Sequence, residues 1–452
     1  MADGVLAPTP VHNSSLRYPF SQPFLFANFS AVTVFLPYWP VASTQRSYCV
    51  PMASTHCNSS PSRYFSSPTS SPKTSQQPSL LVFSGGTAFN GVAEELKKVT
   101  TRVSHVLPIS DDGGSTAEIV RVVGGPAVGD IRSRCLRLSD ESTSEAIAVR
   151  RLLGHRLPLD ASDAKSEWYQ IVEGEHFLWN GVSRPYGETI RAFLAYFQNQ
   201  ILRRASDSFC FSNGSIGNFF FAGARLFFQS MDAAIFLFSR VSQIPSESFV
   251  LPVICTNDRL TLGCELWDGE IIRGQNEISH PTTGAVQAVN KIFPEVNSSV
   301  LEQLSTVDCI VYSMGSLFTS ICPSLILSGI GEIIASRSIP KVLLLNGSHD
   351  RETTGLSASD FVTAITDALN RTYGEPYKCL QNYPSDYINA LLVPKDGQVP
   401  VDFECLDAQG ISNVIVVNSI NDPKFGTVFE PSSLIKALLN LIPHFVEEAG
   451  AN

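Results

Sequence analysis

Leu80-Leu81-Val82-Phe83-Ser84-Gly85-Gly86-Thr87 decides the fold. Four consecutive apolar residues make a strand too hydrophobic for a sheet face open to water, and the glycines behind it turn the chain into a helix expected over 91–99. A second strand, expected over 102–110, ends in Ser110-Asp111-Asp112-Gly113-Gly114-Ser115. Two glycine-rich turns, each closing a strand and opening a helix, make an edge suited to phosphate. Glycine lets backbone amides approach an anion with no Cβ in the way, and the helix that follows points its unpaired N–H groups and positive dipole end at the same place. Asp111 and Asp112 would repel a bare phosphate, so the pair points to a metal ion or a sugar hydroxyl beside it. The ligand this edge implies is a nucleotide.

Outward from that edge, short β-branched runs alternate with longer helical ones, as in a doubly wound parallel sheet. Residues 134–204 are less regular and read as a helical insertion. Residues 216–241 read as a strongly apolar helical region with Phe219, Phe220, Phe221, Phe227, Phe228, Phe236 and Phe238, a stripe expected in the core. Asp268-Gly269, between apolar flanks, signals a hairpin. Parallel strands resume at 309–314, 341–346 and 413–418, with helices at 323–335, 358–372 and 432–441. The fold class is therefore α/β: a Rossmann-like, doubly wound, mostly parallel sheet with a helical insertion and a small antiparallel hairpin, in one domain from 79 to 452.

The 452 residues, 44% hydrophobic and 16% charged, suffice for a large core. A net charge of -10 with dispersed lysines and arginines gives no basic field for a polyanion, which argues against nucleic acid as a partner. Ten cysteines without a C-x-x-C pair signal neither zinc nor a disulfide framework, and they read as reduced, mostly buried thiols. Residues 1–78 are rich in Ser and Pro and hold a single acid, Asp3, so they read as a transit peptide toward a chloroplast. A disordered leader on a cytoplasmic chain is the alternative, and Met52 looks like a start of its own. The apolar run 24–41 is too interrupted, by Asn28, Pro37 and Pro40 among others, to read as a membrane span.

Together, Ser84-Gly85-Gly86-Thr87, Asp111-Asp112-Gly113-Gly114-Ser115, Gly129-Asp130-Ile131-Arg132, Gly217-Asn218, Gly315-Ser316-Leu317-Phe318-Thr319-Ser320 and Arg351-Glu352-Thr353-Thr354-Gly355 resemble the superfamily that joins the 2-phospho-L-lactate transferases (CofD) with the gluconeogenesis factors. The Asp-Asp-Gly-Gly-Ser and Gly-Asp-Ile-Arg elements are closer to the gluconeogenesis-factor branch. The resemblance implies a nucleotide site at the sheet edge. In one branch this serves a magnesium-dependent transfer of a phospholactyl group from a GDP-linked donor to a hydroxyl; in the other it serves binding of a nucleotide sugar, such as a UDP-sugar, by a regulator of carbon use. The oligomeric state, monomer or homo-oligomer, stays open.

Each candidate has a plainer reading. Asp111 and Asp112 are the expected catalytic and Mg2+-binding residues, with helix capping as the alternative. Gly85, Gly86, Thr87, Asn90 and Ser115 are expected at the phosphate. Asn218 reads equally as a ligand contact or a buried structural bond. Gly315, Ser316 and Thr319 resemble a second anion-binding turn, with ordinary capping by Ser316 as the alternative. Asp130 and Arg132 read as a structural pair at a helix start, with direct ligand contact as the alternative, and His349 as a solvated loop histidine, with a catalytic role beside Asp350 as the alternative.

Overall fold

The computed structural model describes residues 29–35, 77–86, 88–110, 113–204, 208–266, 271–273, 295–372, 379–423 and 425–443. Thr87, Asp111, Asp112 and the Asp268-Gly269 turn lie outside them.

In chain order the strands are β1 (Phe29–Phe35), β2 (Leu80–Phe83), β3 (Val103–Leu107), β4 (Phe249–Pro252), β5 (Thr261–Leu266), β6 (Ile271–Arg273), β7 (Cys309–Tyr312), β8 (Lys341–Leu344), β9 (Ala390–Pro394), β10 (Val414–Val417), β11 (Ser419–Asp422) and β12 (Gly426–Phe429). The main sheet has seven strands in the order β10-β9-β8-β7-β2-β3-β4, all paired in parallel. From β2 the chain winds outward through β3 to β4, then returns to the other side of β2 at β7 and winds away through β10. Strand order thus reverses between β2 and β7, and in open α/β sheets the crevice beyond the carboxyl ends at that point takes the ligand.

The strands β2, β3, β7 and β8 are buried along their whole length, which explains the unbroken apolar runs of β2 and β7 and the mostly apolar sequence of β8. Leu81, Phe83, Ile310 and Tyr312 face one layer; Leu80, Val82, Cys309 and Val311 face the other. Each such side chain taken from water contributes roughly 1.5–3 kcal/mol. The second layer is closed by α1 (Asn90–Leu96) and the helix Pro431–Asn440.

Between β3 and β4 run α2 (Gly114–Val123), α3 (Gly129–Leu138), α4 (Ser144–Gly154), α5 (Ala161–Glu173), α6 (Arg184–Leu202), α7 (Ile216–Phe228) and α8 (Met231–Val241). Trp168 anchors them, with ring centroids 5.4 Å from Phe211 and 5.0 Å from Phe219. The apolar region read as one helical run is two helices. Gln229 takes a left-handed φ of 52°, and the Ser230 hydroxyl accepts from the Ala233 amide at 3.2 Å to open α8. The stripe also divides: Phe219, Phe220, Phe221 and Phe238 are buried, whereas Phe227, Phe228 and Phe236 are exposed. The carboxyl end of α2 is held by two arginines, Arg204 on the Val122 carbonyl and Arg225 on that of Gly124, cations where the helix dipole favours them.

The expected hairpin is β5 paired antiparallel with β6, and β1 adds a third strand to it, so part of the segment read as a leader pairs with β5. A second hairpin, β11 with β12, was not read from the sequence, nor were β4 and β9. The cysteines correct another expectation: Cys135, Cys309 and Cys322 are buried, but Cys210, Cys255 and Cys405 are exposed.

Candidate functional site

The crevice opens where β2 and β7 end. At β2, Gly86 takes φ +45°, a conformation that favours glycine, and its N–H donates to Asp130 Oδ2 at 2.8 Å. Gly85 is glycine for a different reason: a Cβ there would stand 2.3 Å from Ser320 Cβ, so the turn after β2 is pressed against the segment that follows β7. Asn90, at the start of α1, is engaged internally through both its nitrogen and its oxygen. Its amide donates to Ser133 Oγ at 2.9 Å and its carbonyl oxygen accepts from Arg134 Nε at 3.1 Å. It braces α1 against α3.

After β7, Gly315 takes φ +140° and exchanges two hydrogen bonds with Asn346, its N–H donating to Oδ1 and its carbonyl accepting from Nδ2, each at 3.0 Å. This ties the β7 turn to the β8 loop. The expected second anion-binding turn already holds an anion, the carboxylate of Glu352. It accepts from the Phe318 and Thr319 amides at 3.1 and 3.2 Å and from Thr319 Oγ1 at 2.8 Å. Thr319 is completely buried by that arrangement. The Ser316 side chain makes no cap, so the capping alternative does not hold there either. Both glycine turns thus have amides occupied by the protein's own carboxylates, Asp130 and Glu352.

The open cationic chemistry lies beside these turns, on α3. Asp130 and Arg132 do not form the ion pair expected of them, because Asp130 reaches back to Gly86. Arg132, buried to 8% exposure, instead donates from Nε to Asn218 Oδ1 at 3.0 Å. Asn218 in turn donates to Ser115 Oγ at 3.0 Å. The first turns of α2, α3 and α7 therefore meet at one guanidinium, three helix N-termini adding their positive ends to its charge. Among the described residues, no carboxylate lies within 4 Å of Arg132, and its terminal nitrogens donate to none of them. Burial, with the neighbouring charge of Arg156, lowers Arg132 to about 10, which leaves it protonated at neutral pH. A guanidinium oriented through Nε, with both terminal nitrogens uncommitted among the described residues, is suited to an external oxyanion.

The N-cap position of α2 is Gly113, not either aspartate. His349, in the half-buried loop after β8, uses Nδ1 on the Thr353 carbonyl at 2.8 Å; a carbonyl only accepts, so Nδ1 carries the hydrogen. Among the described residues, no group of three or more His, Cys, Asp or Glu side chains could hold a metal ion.

A family model described as 2-phospho-L-lactate transferase CofD matches residues 80–419. The chain belongs to the 2-phospho-L-lactate transferase CofD family. This CofD-family chain is 33% identical over 413 residues to an uncharacterized protein of Saccharomyces cerevisiae, covering 72% of itself and 91% of that protein. It is 25% identical over 349 residues to the gluconeogenesis factor of Halalkalibacterium halodurans, covering 74% of itself and 88% of the relative. A crystal structure of a UPF0052-family protein from Bacillus halodurans matches 80% of the chain and 99% of its own length, with a TM-score of 0.58 at 21% identity, a likeness of fold. The motifs quoted from the sequence, Ser84 to Gly355, all fall inside the CofD match. Of the residues expected at the ligand, Gly85, Gly86 and Gly315 stand where β2 and β7 end and Ser115 at the start of α2, while Asn90, Asn218 and Thr319 serve internal bonds. Arg132 was read first as part of a structural pair, with a ligand role as the less favoured alternative; the signal for it was its place one turn into a helix opened by Gly129-Asp130.

Proposed function

We propose that this chain binds a nucleotide diphosphate conjugate in the switch-point crevice, with the diphosphate on Arg132, and transfers a phosphorus-containing group from it to a hydroxyl. The observation that carries this reading is the buried, Asn218-oriented guanidinium at three helix N-termini. In such a transfer the protein's work is to neutralise the diphosphate and align the acceptor. Arg132 supplies charge with bidentate geometry, Ser115 and Asn218 hold it in place, and Asp130 fixes the Gly86 turn that forms the wall.

Magnesium does not fit the described residues, since the carboxylates of Asp130 and Glu352 are committed to backbone amides. Asp111 and Asp112 are the residues that would hold it, where it would neutralise charge on the diphosphate. A GDP-linked donor is the reading closest to the family description. The relatives named gluconeogenesis factor favour a second reading, in which the same crevice holds a nucleotide sugar such as a UDP-sugar without turnover and the chain acts as a regulator. Residues 1–78 then direct the chain to a chloroplast or leave it in the cytoplasm, which a fluorescent fusion of that segment distinguishes.

Thermal melting of the full chain with GDP, UDP and UDP-glucose, with and without magnesium, tests the reading, because a ligand of the folded state raises stability by RT ln(1 + [L]/Kd). A magnesium-dependent GDP response that Asp111→Asn or Asp112→Asn abolishes supports the transferase. A magnesium-indifferent UDP-glucose response supports the regulator, and no response to any of the three removes both.

A further inference from the structure

Arg134, one turn further along α3, is fully buried, and the function proposed above does not use it. Its Nε donates to Asn90 Oδ1 at 3.1 Å, its Nη1 to His105 Nδ1 at 2.8 Å, and its guanidinium lies 5.3 Å from the Phe89 ring centroid. All three neighbours are neutral. A guanidinium has no lone pair to offer, so His105 Nδ1 must be the acceptor and the imidazole carries its hydrogen on Nε2. Burial and the adjacent cation also hold His105 well below its usual range, in keeping with a neutral ring. Among the described residues, the remaining nitrogen, Nη2, is buried with no hydrogen-bond partner, and no carboxylate comes within 4 Å of the guanidinium.

This is an expensive arrangement for a fold. A buried cation with no carboxylate in contact costs several kcal/mol, and the charge of Asp130, one turn back on α3, offsets only part of it, since burial still lowers Arg134 to about 10. Its partners also locate it: Asn90 opens α1 and Phe89 precedes it, so the charge sits directly behind the turn that follows β2. A charge in that setting is little screened by water and acts forward on whatever occupies the crevice.

We propose that Arg134 is a positioning residue for the anionic ligand, a buried cation retained to raise the potential at Gly85 and Gly86 from behind rather than to stabilise the fold. The inference rests on the nucleotide reading above. It predicts that ligand affinity follows the charge at residue 134, while stability without ligand does not.

The test compares Arg134→Gln, which keeps a donor without charge, with Arg134→Lys, which keeps charge without the fork. Both are melted without ligand, and GDP and UDP are titrated into the full chain. Arg134→Gln is expected to bind at least ten-fold more weakly than wild type and Arg134→Lys within about three-fold of it, with the two variants melting alike. Equal affinity in Arg134→Gln, equal loss in both variants, or failure of either to fold makes Arg134 a residue of the fold and overturns the proposal. Wild type that binds neither nucleotide is a different outcome, which removes the nucleotide reading and this inference with it.

Discussion

Substituting Gly85 by alanine tests the wall of the crevice directly. The added Cβ would lie 2.3 Å from Ser320 Cβ and 2.4 Å from its Oγ, both inside the closest approach that carbon and oxygen tolerate. Ser320 cannot swing clear, because the first of those contacts is with its Cβ and a rotamer change leaves that atom where it is. Either the turn after β2 or the segment after β7 must move, and overpacking of this kind costs about 1–3 kcal/mol. Ser320→Gly removes both offending atoms, so the double variant should recover at least half of that loss, apart from about 0.5–1 kcal/mol for a new glycine. Urea denaturation of wild type, both single variants and the double variant closes the cycle, with a coupling energy above about 1 kcal/mol expected. Gly85→Ala unfolding at the wild-type midpoint, or additive effects in the double variant, would refute the contact between the β2 and β7 turns.

Glu352→Gln should lower stability by about 1–2 kcal/mol, since the acceptor of the Phe318 and Thr319 amides becomes neutral while its carbonyl oxygen keeps both bonds and its NH2 turns to Thr319 Oγ1; chemical denaturation checks it. His105 makes the fold acid-sensitive. Burial, then Arg134, depresses its folded-state pKa, so the unfolded chain binds the extra proton; this contribution is complete above about pH 6.5 and is lost as pH falls below it, at up to about 1.4 kcal/mol per unit. Stability measured from pH 7.5 to 5.5 should therefore fall less steeply in His105→Gln than in wild type, and equal slopes would count against the assignment. A chain beginning at Gln77 loses β1 but none of the main sheet, so its denaturant midpoint should match that of the full chain while the β5 amides lose hydrogen-exchange protection.

Much of the fold was legible because the central strands are buried on both faces. Leu80–Phe83, Cys309–Tyr312 and Lys341–Leu344 had to be continuous or nearly continuous apolar runs, and the glycines after the first two mark where they stop. β4 and β9 escaped because each carries a proline, which ordinarily argues against a strand. Pro252 and Pro394 are each the last residue of their strand, the position where a missing N–H does least harm. Within the site, the glycines could be read but their partners could not. Asp130 reaches Gly86 across 44 residues and Arg132 reaches Asn218 across 86, so neither contact leaves a local pattern. Charge alone suggested an Asp130–Arg132 pair. Geometry gave each a better partner, because the half-buried Gly86 amide and the buried Asn218 oxygen would each carry a penalty if left unpaired, which these bonds remove.

The central claim is that Arg132 receives the anionic part of a nucleotide. Isothermal titration of GDP and UDP into the full chain, wild type against Arg132→Gln, tests it most directly. The account predicts saturable binding by wild type to at least one of the two and a loss of roughly thirty-fold in Arg132→Gln, about 2 kcal/mol for charge-assisted bonds to an oxyanion. Binding by Arg132→Gln as tight as wild type, or no binding of either nucleotide by wild type, would contradict it.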